Sequence, residues 1–164
     1  MIACVDVGYH DTHATAACVV FAAWTDETPL STLAVRIETV EPYEPGQFYR
    51  RELPCLLRVL ANVTAPLDTV IVDGFVWLGT DEPGLGAHLH EALDRRVSVV
   101  GVAKTSYAGN TVAVEILRGI SQNPLYVTAV GIEPAVAAEH VRTMHGEHRI
   151  PTLLGHVDRL SRAS

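Results

Sequence analysis

Two short apolar runs in this chain each close on an aspartate: Ile2-Ala3-Cys4-Val5-Asp6 and Thr69-Val70-Ile71-Val72-Asp73. A glycine follows closely in both cases, Gly8 and Gly74. Apolar runs of this length, bounded by turn-formers, read as buried strands. Each strand delivers a carboxylate at its tip, and a carboxylate among apolar neighbours is costly to bury unless a cation meets it. Either aspartate alone also fits a simple strand-terminating turn. Two such tips from distant parts of one chain point to a shared hard cation, with magnesium the natural choice for carboxylate oxygens.

The rest of the hydrophobic pattern predicts a mixed α/β fold. Residues 1–8, 14–24 and 33–40 read as three strands joined by the polar turns His10–His13 and Asp26–Ser31, an antiparallel meander. Phe48–Leu53 reads as a short helical turn, and Pro54 as the first position of a new helix running to about Asn62. Residues 67–73 form a strand, 84–94 a helix, 97–102 a strand, and 111–117 with 124–130 a further strand pair. Residues 134–145 and the tail Leu153–Arg162 read as helices. A three-strand meander followed by parallel strands with helices between them gives a mixed sheet flanked by helices, an order that resembles the ribonuclease H-like fold. No repeat or long linker divides residues 1–164, so one domain is expected.

Composition narrows the class. Of 164 residues, 48% are hydrophobic and 19% charged, an ordinary globular balance. No apolar run is long enough to span a membrane, and the N-terminus lacks the basic leader of a secretory signal. Cys4, Cys18 and Cys55 lack metal-type spacing and sit among apolar neighbours, which predicts reduced core thiols in a cytoplasmic protein. The net charge of −7 argues against a generic, charge-driven nucleic-acid binder. It is compatible with a nuclease, because an acidic metal site lowers net charge and its ion restores part of it.

Seven blocks in order resemble the endonuclease V family. They are Asp6-Val7-Gly8-Tyr9, Pro42-Tyr43-Glu44-Pro45-Gly46, Phe48 to Pro54, Val72-Asp73-Gly74, Gly101-Val102-Ala103-Lys104, Asn123 to Val127, and Arg149-Ile150-Pro151 with His156 beyond. The resemblance implies a ribonuclease H-like nuclease that hydrolyses phosphodiester bonds 3′ to a deaminated base, in DNA or RNA. It implies a metal site of Asp6, Glu52, Asp73 and His156, filled by Mg²⁺ or Mn²⁺. Lys104 would stand near the reacting phosphate. Pro42, Tyr43, Pro45 and Gly46 would form a stiff aromatic wedge, and Gly74 and Arg51 would also contact nucleic acid. Asp158 and the histidines His88 and His90 read instead as helix-surface residues.

The sequence also departs from the family pattern. Family members usually carry a helical extension before the first strand, whereas a strand is expected here from residue 2. A basic stretch usual after the Asp-Gly is replaced by Phe75-Val76-Trp77-Leu78-Gly79-Thr80-Asp81-Glu82-Pro83, apolar and then acidic. Glu44 stands where an apolar wedge residue is usual. The metal end of the site therefore reads as intact and the substrate end as rebuilt, with single-stranded DNA or inosine-containing RNA the expected partners. Phe75, Trp77 and Tyr49 are candidate stacking residues that also fit the core. The alternatives are a nuclease of other specificity on the same fold, or a binding module without catalysis.

Overall fold

A computed structural model describes residues 1–40, 42, 44, 45 and 47–163. Its elements are β1 (Ile2–Tyr9), β2 (Ala14–Phe21), β3 (Ser31–Ile37), α1 (Phe48–Leu60), β4 (Thr69–Asp73), β5 (Trp77–Gly79), β6 (Glu82–Pro83), α2 (Leu85–Ala92), β7 (Ser98–Ala103), β8 (Val114–Ile116), β9 (Leu125–Val130), α3 (Pro134–Arg142) and α4 (Thr152–Arg162). Seven strands form one sheet in the order β3-β2-β1-β4-β7-β9-β8. The β1–β2–β3 meander is antiparallel, β4 and β7 run parallel to β1, and β9 and β8 return antiparallel. This is the mixed, ribonuclease H-like sheet that the hydrophobic pattern predicts.

Helices cover both faces, and each layer follows from strand alternation. Val5, Val7, Val70 and Val72 pack with Cys55, Leu56 and Val59 of α1 and with Leu85 and Leu89 of α2. Cys4, Ile71, Val100 and Val102 face the other way, onto Ala137 and Val141 of α3 and Leu153 and Val157 of α4. All three cysteines are buried and unpaired. Among the described residues no helix is long and apolar enough to cross a membrane.

Three local features differ from the sequence reading. Pro54 does not start a helix; it sits inside the single helix α1. The helix runs through it because Glu52, Cys55, Leu56, Val59 and Leu60 share one buried stripe at helical spacing. The stretch 111–117 contributes only the short β8, because Asn110 Oδ1 accepts the N–H groups of Val112 (2.9 Å) and Ala113 (3.0 Å) and holds them in a turn. Residues 77–83 form an unforeseen hairpin of β5 and β6, with exposed Asp81 at its tip in the left-handed region (φ 58°).

Candidate active site

The parallel register pairs Val5 with Val72, so the next residues, Asp6 and Asp73, end adjacent strands side by side. Both lie in alternation with residues facing α4. Asp6 is 7% exposed, whereas Asp73 opens to solvent at the strand end. Glu52, 5% exposed, reaches the same strand ends from the α1 layer, carried there by the buried stripe of its helix. Helix α4 crosses β1 closely because residue 8 is glycine: a Cβ there would lie 2.0 Å from the Ser161 carbonyl oxygen. This approach sets Ser161 Oγ 3.2 Å from Asp6 Oδ2, and the Val7 N–H donates to Asp6 Oδ1 at 3.0 Å.

A small cavity of about 30 Å³, room for a water-sized occupant, lies between Asp6, Asp73, Lys104, Leu154, Val157 and Asp158. Lys104 Nζ stands 3.7 Å from Asp73 Oδ2. Asp158 is the residue that the sequence reading set aside as a helix-surface charge. Its carboxyl shares the cavity with Asp6 and helps to raise that acid. His156, expected as a ligand, does not line this cavity. Two residues along a helix are about 200° apart, so α4 brings only one of the pair to the site. The signal for Asp158 was present in the sequence, since Leu154, Val157, Asp158 and Ser161 share one helical face.

The acids feel one another. Burial raises Asp6 to about 7, with the charge of Asp73 and the neighbouring Asp158 adding to the shift. Burial likewise raises Glu52 to about 8, and the charges of Asp6 and Asp73 push it the same way, against Arg51. Asp73 is raised by desolvation, with Lys104 opposing. Among the described residues Lys104 is the ion-pair partner of Asp73 and Arg162 that of Asp158, while Asp6 and Glu52 have none. Such mutually raised acids cluster at functional sites. The donors are all carboxylate oxygens, which fits a hard divalent ion rather than a thiolate- or imidazole-seeking one. No three acidic, histidine or cysteine side chains among the described residues already converge on a single ligating point. A cation would have to draw the carboxylates inward against their repulsion.

The predicted substrate-contacting residues are more scattered. Gly74 adopts φ +120°, and a Cβ there would meet nothing within 4 Å, so this glycine serves the backbone turn and leaves the strand end open. Arg51 lies with its guanidinium 3.8 Å from the Tyr9 ring centroid, beside a separate concavity lined by His10, Asp11 and His13. Pro42 and Pro45 are exposed, while Tyr43 and Gly46 lie outside the described residues. Tyr49 stacks on His88 at 3.7 Å between α1 and α2, and Trp77 Nε1 donates to the Ala129 carbonyl at 3.2 Å. Both are structural. His90 is also not a surface residue: it is 9% exposed, its Nδ1 2.8 Å from the Val97 carbonyl oxygen.

The strand order and the two helical layers give a ribonuclease H-like fold, and Asp6, Glu52, Asp73 and Asp158 gather around the ends of β1 and β4. The Endonuclease V family model matches residues 1–157, and the chain belongs to the endonuclease V family. Endonuclease V of Xanthomonas campestris pv. campestris (strain B100) is 38% identical over 111 residues, 66% of this chain and 46% of the relative. That of Xylella fastidiosa (strain 9a5c) is 36% identical over 114 residues, 68% and 46% respectively. The chain thus spans about half the length of the curated relatives it matches. Among solved structures, Ciona intestinalis endonuclease V bound to a 23mer DNA containing an inosine followed by a ribo-adenosine superposes with TM-score 0.83 at 17% identity, covering 98% of this chain and 83% of that one. Human ENDOV superposes with TM-score 0.77 at 22% identity, covering 98% and 82%.

Proposed function

We propose that this chain is a metal-dependent nuclease that hydrolyses a phosphodiester bond beside a deaminated base, with Mg²⁺ as its ion and Mn²⁺ able to substitute. The observation that carries this reading is the set of four acids, Asp6, Glu52, Asp73 and Asp158, supplied by β1, α1, β4 and α4 around one set of strand ends. Two structures of one relative, Ciona intestinalis endonuclease V, hold DNA with an inosine and support the substrate class by family. When bound, a divalent ion supplies an activated water at neutral pH and offsets charge on the phosphate. The carboxylates of Asp6, Glu52 and Asp73 would hold it, and Asp158 closes the same cavity from α4. Ser161 and the Val7 N–H fix the rotation of the Asp6 carboxylate. Lys104 places a point charge at the cavity edge, where it stabilises negative charge developing on a phosphoryl oxygen.

The test is direct. Purified protein is incubated with end-labelled inosine-containing DNA and RNA, each with Mg²⁺, Mn²⁺ or a chelator. Metal-dependent cuts near the inosine are expected. An absence of cutting on every substrate overturns the nuclease reading and leaves a binding module.

A further inference from the structure

Beyond the acids, the same two segments that carry Asp73 and Lys104 continue into a second, larger depression. Phe75 follows Asp73 by two residues, and Ser106 follows Lys104 by two. Together with Tyr107, Thr111, Glu115 and Tyr126 they line a trough of about 410 Å³ at the β8–β9 edge of the sheet. Phe75 meets Tyr107 edge to face, with ring centroids 6.1 Å apart at 61°. Tyr107 is 44% exposed, so part of this side chain is open to solvent while Phe75 packs against it. Glu115 and Tyr126 are cross-strand partners in the β8–β9 ladder and share one side of the trough. Asn110 gives the trough its shape: it donates to the Trp77 carbonyl at 2.9 Å and caps its own turn, so the 105–113 segment is tied to the β5–β6 hairpin.

We propose that this trough binds the base of an unpaired nucleotide next to the cut phosphodiester, stacked on Tyr107. Three observations select that occupant. Two residues of chain span at most about 7 Å, so Phe75 and Ser106 bring the trough within about one nucleotide of Asp73 and Lys104. Its lining offers open aromatic surface and no lysine or arginine, which suits a stacking base and gives nothing to a second phosphate backbone. Glu115 adds a carboxylate acceptor for a base-edge N–H, and it repels phosphate. A base inside a duplex has both faces stacked and its Watson–Crick edge paired, so the trough selects single-stranded nucleic acid. This inference rests on the proposed nuclease reading and specifies its substrate.

The test uses short inosine-containing oligonucleotides carrying 2-aminopurine beside the cut position, single-stranded or annealed, with wild-type protein, Tyr107→Ala and Tyr107→Phe. Binding is followed by 2-aminopurine quenching with Ca²⁺ in place of the catalytic ion, and cleavage is measured separately with Mg²⁺. Wild type should bind the single strand at least about tenfold more tightly than the duplex, with quenching. Tyr107→Ala should weaken binding by about tenfold and abolish the quenching, the scale of one lost stack, while Tyr107→Phe retains both. If wild type cleaves but prefers duplex, or Tyr107→Ala binds and quenches as wild type does, the trough assignment is overturned and the nuclease reading stands. If wild type neither binds nor cleaves any strand, both fall.

Discussion

Asp158 and His156 stand two positions apart on α4, and their different surroundings yield a sharp expectation. Asp158→Asn removes an acid from the cavity and should lower the rate of cleavage on the order of 100-fold, the scale of losing a group at the reacting centre. His156→Ala should leave cleavage within a few-fold of wild type, measured side by side under saturating metal. Glu52→Gln tests the buried acid in another way. It removes a charge that burial and its neighbours disfavour. The metal-free variant should therefore melt no lower than wild type near pH 8, and should lose most of the melting-temperature rise that Mn²⁺ gives wild type. Asp6 and Asp73 were legible from sequence because a short apolar run leads into each of them. Glu52 was legible only through family resemblance, although its stripe with Cys55, Leu56 and Val59 already pointed inward. Asp158 was missed because a single acid on an amphipathic helix looks like a solvated one until the neighbouring strand is in place.

At the scale of elements, the position of α4 decides whether the site forms. It rests on β1 at Gly8, and two arginines tie down its approach. Arg118, 4% exposed, donates to the carbonyls of Arg142, Met144, Gly146, His148 and Arg149, which fixes the α3–α4 connection. Arg149 donates to the carbonyls of Asn123, Pro124 and Lys104, joining the start of α4 to the strand ends. Arg118→Ala strands several of these acceptors and should cost on the order of 3 kcal/mol or more in denaturant unfolding. Gly8→Ala forces a methyl into the Ser161 backbone. It should destabilise by about 1–3 kcal/mol and reduce cleavage by more than the stability loss explains, because it moves Ser161 and Asp158 off Asp6. The sequence pattern located most strands and helices, since burial on both faces writes long apolar runs. It failed at Pro54, where a buried stripe outweighs one missing N–H, and at 77–83, where a hairpin of only five ladder residues leaves no periodic trace.

For the molecule as a whole, charge and protons are coupled. Asp6 and Glu52 have ordinary values of 3.8 and 4.5 and folded values of about 7 and 8. Between those limits the folded chain holds more protons than the unfolded one, so metal-free stability falls as pH rises and levels off above about 8. Melting curves of the metal-free protein should shift to lower temperature from about pH 5 to about pH 8, and the stabilisation by divalent metal should grow over the same range as the ion displaces those protons. An upward shift over that range would contradict the buried acids. The net charge of −7 and the acidic Asp81–Glu82 tip predict a shallow dependence of nucleic-acid affinity on salt, since few phosphates are neutralised.

Under the proposed reading, the acids at the ends of β1 and β4 form a metal-dependent phosphodiesterase centre. The most direct measurement is the cleavage rate of a labelled single-stranded inosine oligonucleotide against Mg²⁺ concentration, for wild type and Asp73→Asn. Wild type should show no cleavage in chelator and a saturable rise with Mg²⁺, while Asp73→Asn should remain near the chelator baseline throughout. Cleavage that survives the chelator, or that Asp73→Asn performs as well as wild type, would contradict that role of the acids.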